Sequence, residues 1–264
     1  MNRIKLKPVL ATALVSTVLW AGTACSPPAA GDLGTLQTLA GTCPDGAILV
    51  SYVAYDVSGS GQSQDLTAAR EAALTDIVTK VAACGGHLRV DAFTGSAAAS
   101  RIAFDGELNP EGATQIAKLR KVPTLVTTTV ESIGLSVAAS ASSLDPTNSD
   151  ITSQFSLAAE YGKQMAANQR IQLNVDLMTD GVQTIGAVLN TKTLTTATAV
   201  DLANSTPVPP LPPTTTVKVS GLGKTTGPPP PTSYVDALKV FYDTYCARTG
   251  AASCSAVTDY TGGT

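Results

Sequence analysis

Apolar residues recur along the chain with two alternating spacings, and the alternation predicts a regular order of strands and helices. Residues 47–56 (AILVSYVAYD) form a nearly continuous apolar, β-rich run, as in a strand buried on both faces. Residues 64–83 follow with helical spacing: Leu66, Ala69, Ala73, Ile77, Val78 and Val81 fall on one face, and Gly85-Gly86 supplies a stop. Residues 87–94 and 101–108 read as two more strands joined by a turn. Residues 112–139 are helical in pattern, with Pro123 as a kink or boundary. A polar loop at 140–150 leads to a helix at 151–168 and a strong strand at 170–178 (RIQLNVDLM). Further on, the pattern predicts a helix at 194–203, a strand at 214–222, an amphipathic helix at 234–249 and a last short strand at 256–260. Alternating βα units predict an α/β fold: a three-layer, doubly wound, mainly parallel sheet with helices on both faces. Pro-rich stretches at 206–213 and 227–231 read as rigid surface loops of that one domain.

The amino-terminal segment has a different pattern. Arg3, Lys5 and Lys7 form a positive region, residues 9–21 are apolar and uncharged, and Gly22, Thr23 and Ala24 precede Cys25. The apolar run is too short for a membrane-spanning helix, which needs ~20 residues, so residues 1–24 read as an export signal. Small residues directly before a cysteine resemble the lipobox of bacterial lipoproteins, although Gly22 stands where that family usually carries Leu. The resemblance implies cleavage before Cys25, acylation of its thiol and new amino group, and attachment to the outer face of a membrane. Residues 25–42, with Pro27 and Pro28, read as a tether, and 43–264 as the folded domain. After residue 24 no apolar run reads as long and uninterrupted enough to span a bilayer.

Export changes the meaning of the remaining cysteines. Cys43, Cys84, Cys246 and Cys254 are even in number and lie in an oxidising compartment, so disulfides are expected. Three pairings are possible; Cys43–Cys84 and Cys246–Cys254 are favoured because each stays within one local unit. The 264 residues include 17 basic and 20 acidic side chains, and only 14% are charged. That balance leaves no electrostatic footprint for nucleic acid. A single histidine, His87, cannot complete a common zinc set and limits hydrolytic chemistry.

Candidate chemistry lies at the ends of predicted strands, where open α/β sheets bind ligands. The first strand runs into Asp56-Val57-Ser58-Gly59-Ser60, one carboxylate and two hydroxyls in alternation. These are hard oxygen donors, suited to Mg²⁺, Mn²⁺ or Ca²⁺. This Asp-x-Ser-x-Ser run resembles the metal-ion-dependent adhesion site of von Willebrand factor A domains. Thr179-Asp180-Gly181 is similar to that family's late Thr-Asp-Gly, and Asn148-Ser149-Asp150-Ile151 to its middle loop. The resemblance implies a metal held by Asp56, Ser58, Ser60, Ser149 and Asp180, with Ser149 at the family's threonine position and Thr147 and Thr152 nearby. It further implies capture of a protein ligand that offers a carboxylate to the metal.

Other motifs are incomplete. Gly59-x-Gly61-x-x-Gln64 lacks the third small residue of a dinucleotide fingerprint, and Gly223-Lys224-Thr225 has Lys218 where a P-loop needs glycine. A catalytic triad would have to use His87, predicted at the opposite sheet edge from Ser58, Ser60 and Asp180. The expected function is therefore a lipid-anchored, extracytoplasmic, metal-dependent binding protein and not an enzyme. The alternatives are a metal-free envelope scaffold or assembly module and, with least support, a surface hydrolase.

Overall fold

In the computed structural model the described residues are 33–61, 63–191 and 193–260. The signal at 1–24 and the lipidation site Cys25 lie outside them. Strands β1 (Ile48–Asp56), β2 (His87–Phe93), β3 (Arg101–Glu107), β4 (Ile171–Met178), β5 (Thr216–Ser220) and β6 (Ser253–Val257) form one sheet in the order β3-β2-β1-β4-β5-β6. All neighbouring pairs are parallel except β2 with β3. This is the doubly wound order, in which the winding direction reverses between β1 and β4.

Strand alternation sorts side chains onto two faces. Leu49, Val53 and Tyr55 join a core built with α1 (Leu33–Ala40), α2 (Gln64–Cys84), α3 (Gln115–Leu119) and α4 (Val122–Ser143). Val50, Tyr52 and Ala54 point the other way, into a core with α5 (Ile151–Ala166), α6 (Thr196–Ser205) and α7 (Thr232–Ala247). The three-layer prediction is met, and Tyr52, Phe93, Phe241, Tyr242 and Tyr245 are all buried core residues. Pro123 marks the boundary between α3 and α4, in the first turn of α4, where its missing N–H costs nothing.

Three expectations need correction. Residues 33–40, predicted as tether, form α1, because Leu36 packs into the α2 side of the core at 1% exposure. The last strand lies at 253–257, where Cys254 and Ala256 alternate onto the α7 side of the sheet. Residues 115–143 are long and apolar enough to cross a bilayer. Val122, Val126, Val130 and Ile133 bury one face of that stretch against the sheet core, while Ile116 and Leu135 on other faces are exposed.

Disulfides join Cys43 to Cys84 and Cys246 to Cys254. The first ties the segment after α1 to the end of α2, and the second ties α7 to β6. Both fit an oxidising, extracytoplasmic location.

Because Leu36 is a core residue, Leu36→Ala should destabilise the protein by about 2–5 kcal/mol. Chemical denaturation measures this directly; a tether residue would change stability by less than about 0.5 kcal/mol.

Candidate functional site

Tyr55 of β1 sits beside Met178 of β4, so the chain leaving these strands emerges side by side at the point where the winding reverses. Asp56 ends β1 with 1% exposure. A buried carboxylate needs hydrogen-bond donors, and Asp56 has three. The Ser58 backbone N–H donates to Oδ1 at 2.8 Å. The Ser149 hydroxyl donates to Oδ2 at 3.0 Å, and the Thr179 hydroxyl donates to the same oxygen at 2.6 Å. The structure thus distinguishes Ser149 from its neighbours: the Thr147 hydroxyl turns to Asp145, and Thr152 pairs with Gln183.

The Ser58 and Ser60 hydroxyls lie 3.4 Å apart, and Ser60 also neighbours the Asp180 carboxyl. Asp180 Oδ1 accepts from the Val182 N–H at 2.9 Å, while Oδ2 is buried without a hydrogen-bond partner. Gly181 follows with φ +80°, and a Cβ there would sit 2.4 Å from Leu222. Only glycine permits that turn. All five candidate residues are brought to one crevice.

Hydrogen bonds from backbone N–H groups fix the loops to one another. Gly59 N–H donates to Pro146 O, Asp150 N–H to Thr94 O, and Ser149 N–H to the Thr184 hydroxyl. The loop after β5 closes the far side, with Gly223 N–H donating to Asp180 O and Thr226 N–H to Ser60 O. Thr179 and Thr184 are supporting residues that sequence reasoning did not single out. Thr179 lay in the quoted Thr-Asp-Gly motif, but only the fold aims its hydroxyl at Asp56.

Burial pushes the Asp180 carboxyl up to about 6, and the Asp56 charge beside it acts in the same direction. A like charge beside a poorly hydrated carboxyl opposes its ionisation, and both causes act on Asp180. Among the described residues no three His, Cys, Asp or Glu side chains converge. A cation here would therefore rely on two carboxylates and several hydroxyls, a hard-oxygen set suited to Mg²⁺ or Mn²⁺ and unsuited to soft metals. The unpartnered Asp180 Oδ2 fits such an occupant, because a cation supplies what the protein does not.

His87 starts β2, at the opposite edge of the sheet, 3.5 Å from Asp105 and ring to ring with Tyr161. It is far in the fold from Ser58, Ser60 and Asp180, as predicted.

Fold and site together define a doubly wound α/β protein with a hydroxyl–carboxylate crevice at its switch point. In comparisons with known proteins, no protein-family model matches the chain and no curated protein matches it. Among solved structures it is similar to the manganese-loaded TRAP protein of Plasmodium vivax, at 15% identity and TM-score 0.35, over 73% of this chain and 62% of that one. It is also similar to proximal thread matrix protein 1 from the mussel byssus, at 16% identity and TM-score 0.32, over 76% of this chain and 49% of that one. The chain therefore spans less than two thirds of either protein.

Asp180 generates a pH prediction. Its folded pKa lies above the ordinary 3.8, so between about pH 4 and 6 the native state holds a proton that the unfolded chain has released. Stability of the protein in EDTA should fall as pH rises through that window, by on the order of 2–3 kcal/mol from this group. Asp176 is raised to about 6 by burial and adds a similar contribution. Asp180→Asn should remove only its own share: more stable than wild type at pH 7 and equal near pH 4, by denaturant titration at each pH.

Proposed function

We propose that this protein is a von Willebrand A-like binding module that holds a divalent cation in the crevice and uses it to capture a carboxylate of a protein partner. One observation carries the reading: Asp180 Oδ2 is buried with no partner, beside the Ser58–Ser60 hydroxyl pair and Asp56, whose three donors leave an acceptor site open. Asp56, Ser58, Ser60, Ser149 and Asp180 would hold Mg²⁺ directly or through water; Mn²⁺ or Ca²⁺ would serve the same donors. The bound cation would supply an electrophilic centre for an incoming carboxylate. Binding and not catalysis is the proposed role, because the sole histidine lies at the other sheet edge. Lipidation at Cys25 would tether the module to the outer face of a membrane, and the two disulfides suit that compartment.

A second reading also has a specific observation behind it. Asp56 is already satisfied by three donors, which stabilise the crevice without any cation and suit a metal-free scaffold.

Calorimetry separates the two. The metal-binding reading expects Mg²⁺ or Mn²⁺ to bind the purified protein, with affinity falling at least about 10-fold in Asp180→Asn and in Ser58→Ala. No heat from wild type in either titration would leave the scaffold reading.

A further inference from the structure

Arg70 is an unusual residue for the inside of this protein. It projects from α2 and is 2% exposed, but among the described residues it forms no ion pair. One guanidinium N–H donates to the backbone carbonyl of Asp56 at 3.0 Å. The Nε and other Nη groups are buried without hydrogen-bond partners. The Tyr55 and Tyr260 rings lie 5.3 and 5.1 Å from the guanidinium carbon. Tyr260 is held in turn by its approach to Gly221, where a Cβ would sit 2.2 Å from the ring. Two aromatic faces and one carbonyl offset part of the desolvation of a cation, but they supply no counter-charge.

The counter-charges available to Arg70 are the crevice carboxylates. Asp56 and Arg70 share the end of β1, and the Arg70 charge acts on Asp180 as well as on Asp56. Other charges nearby are better hydrated: Glu71 is exposed, and Asp150 is half-buried at the start of α5, accepting from Ser153 N–H. A coordinated cation holds both carboxylates ionised, and together with the permanently charged guanidinium they bring one net negative charge to it. Entry of a divalent cation turns that into one net positive charge.

Building on the metal-binding reading above, we propose that Arg70 sets the charge of the crevice so that the cation alone overcharges it and a monoanion completes it. Arg70 then weakens the bare metal complex and strengthens the complex that also contains an anion. The two ligands become thermodynamically coupled: each raises the affinity of the other. A chain relying on the two carboxylates alone would reach neutrality with the cation and gain little from the anion.

The test uses Mn²⁺ and acetate with wild type, Arg70→Met and Arg70→Lys, folding being checked by circular dichroism. Replacing chloride by acetate at constant ionic strength should tighten Mn²⁺ binding to wild type severalfold. In Arg70→Met, bare Mn²⁺ affinity should rise about 10-fold and the acetate effect should shrink to near nothing. Arg70→Lys, which keeps the charge, should retain the wild-type coupling. A folded Arg70→Met that binds Mn²⁺ equally or more weakly would assign Arg70 a packing role and overturn the proposal. Should Arg70→Met fail to fold, wild-type Mn²⁺ affinity that ignores acetate overturns it equally. Mn²⁺ giving no heat with wild type would be a different result, ending the metal reading and this coupling together.

Discussion

Burial of the Asp56 carboxylate is the constraint on which the rest of the site depends. At 1% exposure it has to be met by donors, and those donors come from three places in the chain. Ser58 is local, but Ser149 and Thr179 are 93 and 123 residues away. No local turn can assemble such a set. Only a sheet that places the ends of β1 and β4 side by side, with the loop before α5 across them, brings the three hydroxyl and amide donors to one carboxylate. The fold is thus a precondition of the charge, and the satisfied charge in turn holds the loops in place.

That arrangement makes the crevice rigid before anything binds. The loop after β1, the turn before α5, the turn after β4 and the loop after β5 are cross-linked by backbone hydrogen bonds. Tyr242 adds a further tie, its buried hydroxyl donating to Gly181 O at 2.9 Å. Loops anchored this way lose little entropy when a ligand arrives, which favours presenting fixed oxygens over closing around a guest. The Pro-rich segment at 227–231 works in the same direction, since proline restricts the backbone in both the free and bound states.

Much of this was legible in the sequence because the signals were local. Residues 47–56 and 170–178 read as buried strands from their apolar runs, and Asp56, Ser58, Ser60 and Asp180 stood out because they follow those strands. The disulfide pairings followed from local units. What stayed hidden depends on contacts between distant segments. Leu36 lies in a short stretch flanked by Gly and Pro, so only its contact with the α2 core reveals a helix there. Ser149 had threonines on either side, and only the geometry at Asp56 Oδ2 separates them. Arg70 sat on a face read as apolar from Leu66, Ala73 and Ile77. A buried arginine has no periodic signature, because its place is decided by the rings of Tyr55 and Tyr260, one of them nearly 200 residues away.

A comparison within the molecule shows what is particular about Asp180. Asp91 is as deeply buried, on the neighbouring strand β2, and it is fully compensated. Arg89 pairs with both its oxygens, at 2.9 and 3.2 Å, and the Tyr52 hydroxyl donates to it at 3.0 Å. This chain, poor in charge as it is, places an arginine against a carboxylate where a structural ion pair is wanted. At Asp180 it does otherwise: Arg70, whose charge reaches this carboxyl, donates an N–H to the Asp56 backbone carbonyl, and one carboxylate oxygen is left without a partner. Burying an unpaired oxygen beside a second carboxylate costs stability that an apolar residue would not. An unpaired carboxylate oxygen at the switch point, where open α/β sheets bind ligands, suits the cation site proposed above, in which the missing partner would come from outside the chain.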